Sequence, residues 1–289
     1  MLYSCAPIDS LDPQLARYLH SQVPQTARFR EDTHCFHYTK DQRAVQCGGI
    51  HTLLKQVFYP HYQSNRSQRD HARVNVVGSN AAQGQRIDSE LDLAVEGKQP
   101  ASKKGWHRMT LALLEYWKAR GHTLQATQVP VELANGWARM TKADVITRCE
   151  ADGKLWLWEI KTGYPVGFYR EQKKFAAAPF KDVPCTQQNI WFLQLHYTYQ
   201  GLHTCAGLRI EGGARVLQVY AKTGVQKLFV EERVPPAWLI SRVPLWAPLL
   251  GVPVIAHRKR PAPSSSNNQP YETEWVKKWK KMTQDAANQ

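Results

Sequence analysis

Asp144, Glu159 and Lys161 are charged side chains whose spacing could let them do chemistry together. They stand in two stretches, residues 141–148 and 155–163, rich in Val, Ile, Thr and Trp and joined across Asp152-Gly153, a hairpin-turn signal. A two-residue turn there sets residue 151 opposite 154, which aligns Asp144 with Lys161 and Ile146 with Glu159. Opposed residues project to the same side and each strand alternates with period two, so Asp144, Glu159 and Lys161 share one face. A register slip of two residues preserves that arrangement; a slip of one destroys it.

Unpaired charges buried on a sheet face cost several kcal/mol each, roughly, and a bound cation offsets that cost. Hard cations such as Mg²⁺ or Mn²⁺ take carboxylate, carbonyl and water oxygens, so Asp144, Glu159 and the Ile160 carbonyl form a candidate ligand set. Lys161 would then stand beside an attacking water, where it can orient the nucleophile and stabilise charge developing on a phosphate. That is the chemistry of phosphodiester hydrolysis. The alternative is a half-exposed sheet with these three residues in solvent and Trp156, Trp158 and Ile160 turned inward.

The elements that must position these residues follow from periodicity. Ile50, Leu53, Leu54 and Val57 make a short helical stripe after Gly48-Gly49, stopped by Pro60. Residues 80–95 predict a helix with Ile87, Leu91 and Val95 on one stripe and Asp88, Glu90 and Asp92 along its length. Residues 106–120 predict a helix ended by Gly121, in which Glu115 could serve as a metal ligand but reads more readily as a solvated position. The period then changes to two, and strands are expected over 123–133, 138–149 and 154–161, divided by Asn135-Gly136 and Asp152-Gly153. A long loop, 162–184, carries Arg170, Lys173, Lys174 and Lys181, candidates to grip nucleic-acid phosphates. Residues 187–202 read as a helix, and 205–211, 215–221 and 226–232 as further strands.

The 289 residues carry 38 Lys and Arg against 24 Asp and Glu, a formal charge of +14, which suggests a polyanionic partner. No stretch has the roughly 18–20 apolar residues of a membrane span, and the start lacks the pattern of a secretory signal, so a soluble intracellular protein without a membrane partner is expected. The six cysteines show no zinc-ligand spacing and read as reduced thiols. Three regions are expected: an irregular or partly helical arm over 1–44, a domain over 45–250, and a basic low-complexity linker and tail over 251–289. Residues 257–289 hold seven Lys or Arg and three Asp or Glu, a net +4, with Trp275 and Trp279 among lysines. The segment 257–261 is similar to a nuclear import signal, a pattern of low specificity.

Asp144, then Glu159-Ile160-Lys161, then Thr162-Gly163 resembles the PD-(D/E)XK nuclease superfamily, within it the RecB-like branch of lambda-type exonucleases and viral or phage relatives, over roughly residues 45–235. The resemblance implies an α/β fold: a restriction-endonuclease-like core with a central mixed β-sheet flanked by helices, in the order helix, three strands, helix, strand. It implies a Mg²⁺ or Mn²⁺ dependent deoxyribonuclease that trims DNA ends in replication, recombination or repair, with a viral enzyme as a reasonable source and the host nucleus or a cytoplasm as its place. DNA is then the partner, with a single-strand-binding or recombination protein as a further one. The stretch from Pro179 to Leu195 resembles the segment carrying the branch's helical glutamine, so Gln194 would reach the nucleophilic water or the scissile phosphate. Residues 81–88 resemble the helix where relatives place a metal-binding His four residues after a Gly; here the residue is Asp88, after Gly84, and the resemblance implies that Asp88 adds a metal ligand through oxygen. Thr198 stands where a tyrosine is usual, and Ala143 where the motif has proline. Two other readings stay open: a non-catalytic DNA-binding or packaging protein, and a structure-specific endonuclease such as a junction resolvase.

Overall fold

A computed structural model describes residues 11–30, 35–40, 42–58, 80–101, 105–133, 140–162, 176, 180, 182–221 and 227–241. Along the chain run α1 (Pro13–Leu19), α2 (Gln22–Thr26), β1 (Arg28–Arg30), β2 (Cys35–Lys40), β3 (Arg43–Gly48), α3 (Ile50–Phe58), α4 (Asn80–Val95) and α5 (Arg108–Lys118). They continue with β4 (His122–Glu132), β5 (Met140–Cys149), β6 (Leu155–Thr162), α6 (Gln187–Thr204), β7 (Gly213–Ala221), β8 (Leu228–Arg233) and α7 (Ala237–Ile240).

The fold is mixed α/β, built on a five-stranded sheet in the order β4-β5-β6-β7-β8. Neighbouring strands are antiparallel except β6 and β7, whose parallel pairing requires the long crossover that α6 provides. From α5 onward the order is helix, three strands, helix, strand, with β8 added at the edge. Helices cover both faces, which is why β6 is buried along most of its length. On one face Ile146 and Leu157 pack with α3 and α6 residues such as Leu54, Ile190 and Trp191. On the other, Val145, Trp158 and Ile160 pack with Ile87 and Leu91 of α4 and Leu113 and Trp117 of α5. No helix among the described residues is long and apolar enough to cross a membrane.

Two expected features are corrected. The described part of 1–44, expected to be irregular or partly helical, holds two short helices and the strands β1 and β2, and β3, which begins at Arg43, completes a three-stranded antiparallel sheet, β1-β2-β3. Asp12 caps α1 by accepting from the Gln14 and Leu15 amides, and Pro13 follows it at the first helical position. Phe36, Tyr38 and Cys47 then bury one face of the small sheet against Met140 of β5. Such short alternating runs give a weak period.

The second correction is at 205–211, expected to be a strand and found irregular. Its alternating Leu208 and Ile210 are indeed buried. Their amides are spent on the end of α6 instead of a ladder, Leu208 donating to the Leu202 carbonyl at 2.9 Å and Ile210 to His203 Nε2 at 3.3 Å.

Candidate active site

The turn between β5 and β6 spans four residues, not two. Cys149 donates to the Lys154 carbonyl and Gly153 to the Cys149 carbonyl, both at 2.9 Å, and Gly153 closes the loop with φ at 70°. The register is therefore shifted by two from the predicted one, with Ile146 opposite Leu157 and Val145 opposite Trp158. An even shift leaves each side chain on its expected face. Regular pairing ends at Val145 and Trp158, and there the Asp144 carboxylate replaces a backbone partner: its Oδ2 accepts from the Ile160 amide at 2.9 Å. A residue's N–H and C=O point the same lateral way in an extended strand. The Ile160 carbonyl accordingly opens on the same gap.

β4 is irregular at this level too. Thr127 pairs with Val145 and Val129 with Ala143, while Gln128 between them has φ at 52°. A non-glycine residue in that region costs about 1–2 kcal/mol, and Gln128 Nε2 is buried with no partner among the described residues. Strain of this kind is found at functional sites.

Glu159 is 1% exposed and pairs with the Lys161 ammonium. Burial, then the charge of Asp144, pushes the Glu159 carboxyl well above the usual carboxylate range, while Lys161 and Lys142 pull it back. Burial and Asp144 likewise raise Asp88, on α4, with Lys142 and Lys161 opposing. Asp88, Asp144, Glu159 and Lys161 thus form one electrostatic cluster, and the solvated alternative does not hold for Glu159. Lys142 belongs to this cluster and was missed, although period two puts it on the Asp144 face. Glu115 is exposed on α5, outside the cluster.

α6 forms the facing wall. It starts at Thr186, whose side chain accepts from the Asn189 amide at 3.1 Å. The Trp191 ring lies 5.9 Å from Lys161 Nζ. One turn further Gln194, nearly buried, sets its Oε1 2.6 Å from His51 Nδ1. Thr198 is fully buried; its hydroxyl donates to the Gln194 carbonyl and meets Thr141 Oγ1, each at 2.9 Å. It fastens α6 to β5. His51 was missed because it stands off the apolar stripe of α3, and its partner is 143 residues away.

Among the described residues no three His, Cys, Asp or Glu side chains gather into a ready metal cage. Mg²⁺ rarely uses such a cage; one or two carboxylates, waters and substrate phosphates are its usual ligands. Asp144, Glu159 and the Ile160 carbonyl are hard oxygen donors of that kind, and the burial and neighbouring Asp144 charge that raise Glu159 are what a dication would offset, so the residues fit the ion. Arg170, Lys173 and Lys174, with Lys181, Gly163 and the 251–289 tail, lie outside the described residues. Neither protein-family models nor curated protein sequences give a match to this chain.

Proposed function

We propose that the chain is a Mg²⁺ or Mn²⁺ dependent deoxyribonuclease on a PD-(D/E)XK, restriction-endonuclease-like core, acting on DNA ends in replication, recombination or repair. One observation carries this reading: where β5 and β6 separate, Asp144 holds the Ile160 amide beside the buried Glu159–Lys161 pair. The order of elements from α5 to β7 and the formal charge of +14 support it further.

In this reading Asp144, Glu159 and the Ile160 carbonyl hold the cation, and Asp88 adds negative charge from α4. The bound ion supplies charge that acidifies water and offsets the negative phosphate. Lys161, kept close by Glu159, orients the attacking water and faces the charge that develops as the new P–O bond forms and the sugar oxygen leaves. Gln194 steadies a phosphate oxygen from α6. Low exposure around Glu159 strengthens each of these electrostatic contacts.

The test is degradation of end-labelled linear duplex, single-stranded and covalently closed circular DNA with Mg²⁺, Mn²⁺ or EDTA, for wild type, Glu159→Ala and Lys161→Ala. Cutting of linear substrates alone, metal-dependent and lost in both variants, is the expected result. Cutting of closed circles would make the enzyme an endonuclease. Tight binding with no cutting, unchanged in both variants, would leave a DNA-binding protein instead.

A further inference from the structure

Resting on that nuclease reading, we propose that His51 is a positioning residue: its ring fixes which end of the Gln194 amide is turned to the scissile phosphate. The contact of 2.6 Å joins His51 Nδ1 to Gln194 Oε1. An amide oxygen only accepts, so this setting requires the tautomer with hydrogen on Nδ1 and leaves the Gln194 NH₂ to donate elsewhere. Donors match the anionic oxygens of a phosphate. In the opposite setting the amide nitrogen would donate to a bare Nδ1 and the oxygen would face the phosphate, repelling it. A donor at the His51 position therefore selects the productive orientation.

Packing of its neighbours fixes the backbone that carries His51. Ile50, next to His51, is 1% exposed and shares one core with Ile190, Leu193 and Leu195 of α6. The chain enters α3 through Gly49, which bridges to Met140, four residues before Asp144 on β5. A Cβ at Gly49 would lie 3.0 Å from the Phe36 ring, so this entry is tightly fitted. One strand thus anchors both the segment carrying His51 and the carboxylate of the cluster.

Single-turnover cleavage of linear duplex DNA with Mg²⁺ tests the proposal in wild type, Glu159→Ala, His51→Asn, His51→Asp, Gln194→Leu and the His51→Asp/Gln194→Leu double variant, with thermal melts to verify folding. Asparagine keeps an N–H donor near the Nδ1 position, and aspartate of nearly the same shape offers only oxygens. His51→Asn is expected within about threefold of wild type, and His51→Asp and Gln194→Leu each slower by about 10- to 100-fold. The double variant should be no slower than Gln194→Leu, because residues acting through one group do not add. Multiplied losses in the double variant, equal rates for His51→Asn and His51→Asp, or a wild-type rate in His51→Asp would overturn the proposal. Should His51→Asp fail to fold, a His51→Asn rate reduced tenfold or more overturns it by itself and a near-wild-type one supports it. If wild type does not cleave, or Glu159→Ala cleaves as well as wild type, the nuclease reading fails and the role of His51 falls with it. With Glu159→Ala inactive, a failure at His51 removes only the positioning role.

Discussion

Glu90 and Glu159 are both buried carboxylates, and their surroundings are opposite. Glu90 accepts from Arg86 Nε, the His107 amide and Thr110 Oγ1, all at 2.7 Å. Burial would raise its pKa, but hydrogen bonds from Thr110, Arg86 and His107 more than offset this and leave it lowered. Glu90 is a structural anion that fastens α4 to the start of α5. Glu159 is raised by its burial, and the charge of Asp144 beside it adds to the rise instead of offsetting it. Glu159→Gln keeps the shape of the neutral carboxyl that burial and Asp144 favour, so the melting temperature should hold or rise while cleavage falls at least about 100-fold. A lower melting temperature with cleavage retained would mean a structural role.

His196 gives a separate prediction at this scale. Burial lowers its pKa from 6.5 to about 4, and its Nε2 has no partner among the described residues. The unfolded chain therefore takes up a proton near pH 6.5 that the fold refuses. Its contribution to stability is whole above about pH 6.5 and is lost as the pH falls toward 4. Urea unfolding of His196→Leu should show a flatter dependence between those pH values than wild type. Asp144, Glu159 and Lys161 were legible as residues because a turn signal and period two align them locally. Lys142 was equally legible by spacing, whereas His51 needed a tertiary contact.

At the scale of elements, two glycines in helices face different neighbours. A Cβ on Gly201 of α6 would lie 2.7 Å from Leu133 Cδ2 and 2.8 Å from the Glu132 carbonyl and Val131 Cγ1. Gly201→Ala should cost about 1–3 kcal/mol in denaturant unfolding. On Gly84 of α4 the nearest atom is Thr162 Oγ1 at 3.6 Å, an ordinary contact, and Gly84→Ala should stabilise by about 0.5–1 kcal/mol. Equal effects at the two positions would contradict this packing of α6 on β4. The α5 helix and strands β4 to β7 were readable because each has a sustained period and a clear stop. Residues 205–211 misled because burial alternates there as in a strand while the amides bond to a helix end. β1 to β3 are too short for their alternation to stand out.

At the scale of the whole molecule, the cluster lies where segments far apart in the chain meet: Asp88 from α4, Lys142 and Asp144 from β5, and Glu159 and Lys161 from β6, with Trp191 of α6 beside Lys161. Sequence order foretold the helix, three-strand, helix, strand succession. It did not foretell that α3 is tied to β5 through Gly49 and Met140, since that bridge depends on the small sheet. The formal charge of +14 gives a prediction about association. If about six phosphates are neutralised, duplex DNA binding should weaken by roughly 10³-fold between about 50 and 200 mM salt. A dissociation constant insensitive to salt would count against DNA as the partner.

The most direct test is single-turnover cleavage of linear duplex DNA by wild type and Lys161→Ala, in Mg²⁺ and in EDTA, with DNA binding measured alongside. Wild type is expected to cut in Mg²⁺ and not in EDTA, and Lys161→Ala to bind with similar affinity but cut at least about 100-fold more slowly. Cleavage in EDTA, or undiminished cleavage by Lys161→Ala, would contradict a metal-dependent site built on Asp144, Glu159 and Lys161.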